Sequence, residues 1–143
     1  MEVHQVRFPV SGTPVAATAA RQQLAGAIRN WDAFLGPELL YTAKLVAAEL
    51  ITNAVRHAGN GPISAGARLS DVRLLIEVTD TSPDLPQVGL PDTDEEGGRG
   101  LFLVVALADR HGFDQVPRGK RCWAEFKVSP PCQPPQRLPL QRS

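Results

Sequence analysis

The chain has 143 residues, and its 15 Lys and Arg residues balance 15 Asp and Glu residues, so its formal net charge is zero. This length fits one domain with its own core, and the balanced charge gives no reason to expect direct binding to nucleic acid. Two cysteines are too few for a disulfide framework. No signal-peptide pattern opens the chain, and no apolar run approaches the roughly 18 residues of a membrane span. We therefore expect a reduced, cytoplasmic setting without a membrane partner.

The first half of the chain predicts one strand followed by two helices. Residues 2–9 alternate between polar and apolar positions, which indicates a strand. Thr13 before a proline is typical of an N-cap, so a first helix is expected to run to about residue 30. A second helix is predicted over residues 37–58, and the glycine- and asparagine-containing segment 59–62 ends it.

The second half predicts four more strands and a third helix. The alternation is clearest from residue 72 to 79, where apolar residues occupy every second position. The predicted elements are strands at 63–69 and 72–79, a helix at 101–109, and a hairpin of 111–116 with 121–128 whose turn is Arg118-Gly119-Lys120. This order predicts an α+β fold, a two-layer sandwich of a mixed sheet with helices on one face.

Two segments lack periodicity. Residues 81–98 form a long acidic, proline- and glycine-containing stretch, and loops of this length in compact domains are usually functional or disordered. Residues 129–143 are rich in proline and glutamine, which indicates a disordered tail after a domain spanning 1–128.

The second helix carries a polar stripe on an otherwise apolar segment. Glu49, Asn53 and His57 are spaced four residues apart, so they share one helix face. A carboxylate, an amide and an imidazole in one stripe suit a hard cation or a phosphate better than a core. For His57, a structural role near the helix end, where a cation is favourable, is an equal alternative.

Two further features are ambiguous when each is taken alone. Asp80 follows an apolar strand and could point into a pocket, although a local Asx-turn is the commoner use of such a residue. The segment Glu96-Gly97-Gly98-Arg99-Gly100-Leu101 leads into a helix, and such a turn can bind phosphate or serve only as a hinge.

Together, the three features resemble one known architecture. Their order and wording resemble the ATP-binding domain shared by gyrase, sensor histidine kinases and anti-sigma factor serine/threonine kinases (the Bergerat fold). The matching segments are, in chain order, Glu-Leu-Ile-Thr-Asn-Ala-Val-Arg-His-Ala, Asp-Thr-Ser-Pro and Glu-Gly-Gly-Arg-Gly-Leu-Phe. The resemblance covers about residues 10–128. It is strongest to the small stand-alone anti-sigma factor kinase-like regulators, on the grounds of size, of this wording and of the stretch 96–110. Sensor histidine kinases would need a phosphoacceptor helix and usually membrane segments, and the sequence shows neither.

The resemblance implies a role for each candidate residue. Asn53 would bind Mg²⁺ through its side-chain oxygen, and Glu49 would be the catalytic base. Asp80 would accept a hydrogen bond from the adenine amino group. The residues expected near the phosphates of ATP are Arg56, His57, Gly98, Arg99, Gly100 and Leu101. The segment 81–97 would form a lid over the nucleotide.

The chain departs from the family pattern at three places. Ser82 and Asp84 stand where glycines usually follow the aspartate, and the glycine turn is short. Near the position of a threonine that supports adenine, the chain has Lys120, Arg121 and Cys122. Any of these changes could weaken nucleotide binding.

Three functions remain open from the sequence. The first is an ATP–Mg²⁺-dependent protein serine/threonine kinase of the anti-sigma factor type. It would bind a sigma factor, phosphorylate an antagonist (anti-anti-sigma) protein, and regulate transcription by partner switching. The resemblance also implies a homodimer, because proteins of this family commonly dimerise. The second is a catalytically inactive regulator that senses ATP or ADP, or binds partners without nucleotide. The third is a simple ATPase. This hypothesis is the weakest of the three, because the sequence does not show the coupled domains that such ATPases drive.

Overall fold

A computed structural model describes residues 4–31, 35–58, 61–82 and 103–128. The strands and long helices run in the order β1 (His4–Val10), α1 (Pro14–Arg29), α2 (Pro37–Ala58), β2 (Ile63–Leu69), β3 (Arg73–Asp80), β4 (Arg110–Val116) and β5 (Gly119–Lys127). Residues 103–107 form a further short helical segment within the region predicted as the third helix.

The five strands form one sheet in the order β1-β2-β3-β5-β4. This arrangement confirms the α+β fold, but every strand pairing in the described residues is antiparallel, so the expectation of a mixed sheet was wrong. The reason lies in the connections. Two successive helices return the chain to the end of the sheet where β1 finished, so β2 runs opposite to β1.

Both long helices cover one face of the sheet. The Thr13 side chain caps α1 by accepting a hydrogen bond from the Ala16 backbone N–H at 3.1 Å, as the sequence predicted. In α2, residues at helical spacing turn inward. The buried apolar residues of α2 are Ala43, Val46, Ala47, Leu50, Ile51 and Ala54. They meet the inward side chains of β2, β3 and β5, which places the core between α2 and the middle of the sheet.

The β4–β5 hairpin turns earlier than its sequence suggested. Residues 117–118 form the turn, and Gly119 and Lys120 already belong to β5, where Lys120 lies opposite Asp80. A β-carbon at residue 119 would collide with the backbone carbonyl of Asp80, so only glycine allows the strand to approach so closely. This shift moves Lys120 from a predicted turn to the buried face of the sheet.

Candidate functional site

Asn53 is the least expected member of the buried layer. It is 4% exposed, between core residues Ile51 and Ala54, and neither its Oδ1 nor its Nδ2 has a hydrogen-bond partner in the described structure. Leaving a buried amide unsatisfied costs about 1–3 kcal/mol, and such groups are rare in folded proteins. A buried amide whose oxygen and nitrogen both lack a hydrogen-bond partner is therefore a candidate ligand-binding group.

The other candidate residues of α2 are all more exposed than Asn53. Glu49, one turn before Asn53, is half-buried, whereas Arg56 and His57 in the last turn are exposed. The stripe therefore passes from partly buried through buried to exposed. The position of His57 in the last turn also fits the structural alternative, because positive charge there complements the helix dipole.

Asp80, the last residue of β3, is paired with a buried lysine. Lys120 Nζ lies 2.9 Å from both Oδ1 and Oδ2 of Asp80, and each side chain is 1% exposed. Oδ1 also accepts a hydrogen bond from the Ser82 backbone N–H at 2.8 Å, which is the contact of an Asx-turn. The local-turn alternative is therefore confirmed for Asp80, and its predicted place in a pocket stays a prediction.

The alternation of β5 contains a signal for this pair, although the turn predicted at residues 118–120 includes Lys120. Counting back by two from the buried residues Phe126, Ala124 and Cys122 places residue 120 on the same inward face. An ammonium group on a buried face needs a carboxylate partner. Asp80 is opposite in the strand register and meets that need.

Cys122 lies beside the pair and is also buried, at 3% exposure. Burial raises the pKa of its thiol from 9.0 to about 11, the Lys120 ammonium opposes this shift, and the Asp80 and Asp114 carboxylates add to it. The thiol is therefore protonated at neutral pH, and it behaves as a small apolar side chain rather than as a nucleophile.

The segments that follow α2 and β3 are in close contact. A β-carbon at Gly61, just before β2, would collide with the side chain of Thr81, which follows Asp80. The end of β3 that carries Asp80 therefore lies beside the start of β2, the strand that follows α2. The helix α2, which carries Asn53, also packs against β3.

Part of the predicted site lies outside the described residues. Gly98, Arg99, Gly100 and Leu101 belong to that part, as do residues 83–97 of the expected lid and residues 129–143 of the expected tail. Their predicted roles stay predictions.

Among the described residues, no group of three or more His, Cys, Asp or Glu side chains could hold a metal ion. This finding excludes a site built from several such ligands within those ranges. The same finding is compatible with a Mg²⁺ site, because Mg²⁺ takes few protein ligands and keeps several waters. The orphaned Asn53 Oδ1 has suitable chemistry for such an ion, because it is a buried oxygen acceptor without a partner.

A family model described as the histidine kinase-like ATPase domain matches residues 10–126. The chain belongs to this family. A histidine kinase-like ATPase domain is expected to bind ATP, and the observed α+β layers agree with its fold. No curated protein sequence matches the chain.

Among solved structures, this ATPase-family chain is similar to the crystal structure of the RsbU and RsbW domains of Rv1364c from Mycobacterium tuberculosis. The TM-score is 0.59 at 20% sequence identity, and the match covers 89% of this chain and 33% of that one. The chain thus spans about one third of the length of that structure, and the likeness shows a shared fold. In the ranges that the structure describes, no helix is long and apolar enough to cross a membrane.

Proposed function

We propose that the chain is an ATP–Mg²⁺-binding regulatory protein serine/threonine kinase of the anti-sigma factor type, acting in the cytoplasm. The observation that supports nucleotide binding is the buried amide of Asn53, which has no hydrogen-bond partner. The chain also belongs to the histidine kinase-like ATPase domain family, whose members are expected to bind ATP. The structural likeness to a protein with an RsbW domain supports the regulatory part.

The proposed roles follow the positions of the residues. Asn53 would hold Mg²⁺ through Oδ1, and the ion would neutralise phosphate charge. Half-buried Glu49, one helical turn away, would accept the proton of the attacking serine hydroxyl. Asp80 would contact adenine. Arg56 and His57, exposed at the end of α2, would lie toward the phosphates together with the segment from Gly98 to Leu101.

The proposed partners are ATP and ADP, a sigma factor, and an antagonist protein that carries the target serine; a homodimer is part of the same proposal. Nucleotide state would decide which protein partner is bound. In this scheme, phosphorylation of the antagonist releases it and frees the domain to hold the sigma factor, so transcription responds to the partner exchange.

One observation favours a second candidate, a regulator that binds ATP or partners without catalysis. The Asp80 carboxylate is already neutralised by Lys120 before any nucleotide arrives. A nucleotide must therefore compete with, or share, an existing buried pair, which limits the affinity that Asp80 alone can supply.

Phosphate transfer tests the kinase proposal. The protein is incubated with γ-labelled ATP, Mg²⁺ and a candidate antagonist, and Glu49→Gln is compared with wild type and with Tyr41→Ala, an exposed change on the same helix. We expect serine phosphorylation by wild type and Tyr41→Ala, and a loss of about 100-fold or more in Glu49→Gln. ATP binding without transfer would favour the second candidate.

A further inference from the structure

We propose that Lys120 is a base-contacting residue, and that the Asp80–Lys120 pair, rather than Asp80 alone, reads the edge of adenine. In this arrangement Lys120 donates to ring nitrogen N1, and Asp80 accepts from the amino group on C6. The inference rests on the proposed function, because it assumes that nucleotide binds at the end of β3.

The hydrogen-bonding capacity of the pair supports this proposal. A carboxylate has about four acceptor positions and an ammonium has three donors. On Asp80, Oδ1 is used by Lys120 and by the Ser82 N–H, whereas Oδ2 is used by Lys120 alone. One acceptor position therefore remains on Oδ2, and at least one N–H remains on Nζ.

The two atoms that carry the unused positions are adjacent, because Nζ and Oδ2 are 2.9 Å apart. A donor beside an acceptor is the complement of an aromatic edge that presents an acceptor beside a donor. The edge of adenine has that pattern in N1 and its amino group. Both side chains are buried, so each new hydrogen bond would form in a low-dielectric setting, where it is stronger than in water.

The donor and acceptor pattern of the Asp80–Lys120 pair also disfavours guanine. In the orientation proposed for adenine, guanine would place its O6 against the Asp80 carboxylate and its N1–H against the Lys120 ammonium. Acceptor would then face acceptor, and donor would face donor. Guanine would therefore bury an unsatisfied donor, which weakens binding.

The test compares ATP with 1-deaza-ATP, in which C–H replaces N1, by calorimetry with Mg²⁺ and the full chain. For wild type and the Tyr41→Ala control, loss of a hydrogen bond to a charged group predicts about 10- to 100-fold weaker binding of 1-deaza-ATP. Equal dissociation constants for the two nucleotides would overturn the role of Lys120 while leaving nucleotide binding intact. No binding of ATP itself would overturn the proposed function.

The second part of the binding test uses a variant of Lys120. In Lys120→Met, which has a chain of similar length without a donor, ATP and 1-deaza-ATP should bind equally, and GTP should remain weaker than ATP. Tighter ATP binding by Lys120→Met than by wild type would show that the lysine blocks the base, contrary to the proposal. If this variant does not fold, the wild-type comparison of the two nucleotides decides the matter.

Discussion

Lys120 of β5 holds both carboxylate oxygens of Asp80 of β3 at 2.9 Å, and the two side chains are almost completely buried. The pair lies where the end of β3 meets the start of β5, and Thr81, the next residue after Asp80, is in close contact with Gly61, which follows α2 in the chain. It therefore belongs both to the stability of the sheet and to the site proposed for the nucleotide base.

Removing one member of the pair should strongly destabilise the fold. Lys120→Met leaves a buried, unpaired carboxylate, so we expect the free energy of unfolding to fall by about 3–5 kcal/mol. The double variant Asp80→Asn with Lys120→Met removes both charges and should recover part of this loss. The measurement is urea unfolding at pH 7.

The matched control is the surface pair of Arg7 with Glu77, in which the Arg7 side chain is 61% exposed. Arg7→Ala should cost no more than about 1 kcal/mol, because exposed ion pairs contribute little. A loss in Lys120→Met as small as that of Arg7→Ala would refute the importance assigned to the buried pair.

Asn53→Leu should stabilise the nucleotide-free protein. The substitution replaces an unsatisfied buried amide by an apolar side chain of similar size, and we expect a gain of about 1–3 kcal/mol in the free energy of unfolding. Unfolding in urea without ATP measures it. Ile51→Ala, a neighbouring buried change, is the control and should cost about 2–5 kcal/mol. A similar loss in Asn53→Leu would mean that the amide is satisfied in solution.

The sequence sufficed for the elements whose periodicity is long and uninterrupted. The bounds of α2, predicted as 37–58, agree with the structure, because its apolar residues recur at helical spacing between a proline and a glycine. The Thr13 cap was predictable for a similarly local reason. Both depend on neighbours within a few residues.

What the sequence could not supply depends on contacts between distant segments. The burial of Asn53 arises from packing against the sheet. The alternation of β5 indicates that Lys120 faces inward, but its pairing with Asp80 joins residues 40 positions apart and depends on the strand register. The hairpin turn was misplaced because Gly119 resembles a turn residue, whereas its actual role is to permit close approach to Asp80. Local pattern does not distinguish these two uses of glycine.

Glycine positions provide a paired test of that close approach. Gly119→Ala would push β5 away from the Asp80 and Thr81 backbone, so we expect lower stability and a weakened Asp80–Lys120 pair. Gly26→Ala in α1 meets no atom within 4 Å and should instead stabilise by about 0.5–1 kcal/mol. Thermal unfolding of both variants measures the effects, and equal shifts would contradict the assigned role of Gly119.

Cys122 should make stability fall at alkaline pH. Burial raises the pKa of its thiol to about 11 from 9.0, so between these values the folded protein binds more protons than the unfolded chain. The associated stability is fully present below pH 9 and is lost as pH rises toward 11, by about 2–3 kcal/mol in total. Cys122→Ala should show a correspondingly shallower decline in urea unfolding. Identical slopes in the two proteins would rule out this contribution.

The most direct test of the nucleotide site is urea unfolding of wild type and Asn53→Leu with and without ATP and Mg²⁺. ATP at about 100 times its dissociation constant should raise the free energy of unfolding of wild type by about 2.7 kcal/mol. The same ATP concentration should leave Asn53→Leu nearly unchanged, while Tyr41→Ala should respond like wild type. Equal stabilisation of Asn53→Leu and wild type, or no stabilisation of wild type, would contradict a nucleotide site at Asn53.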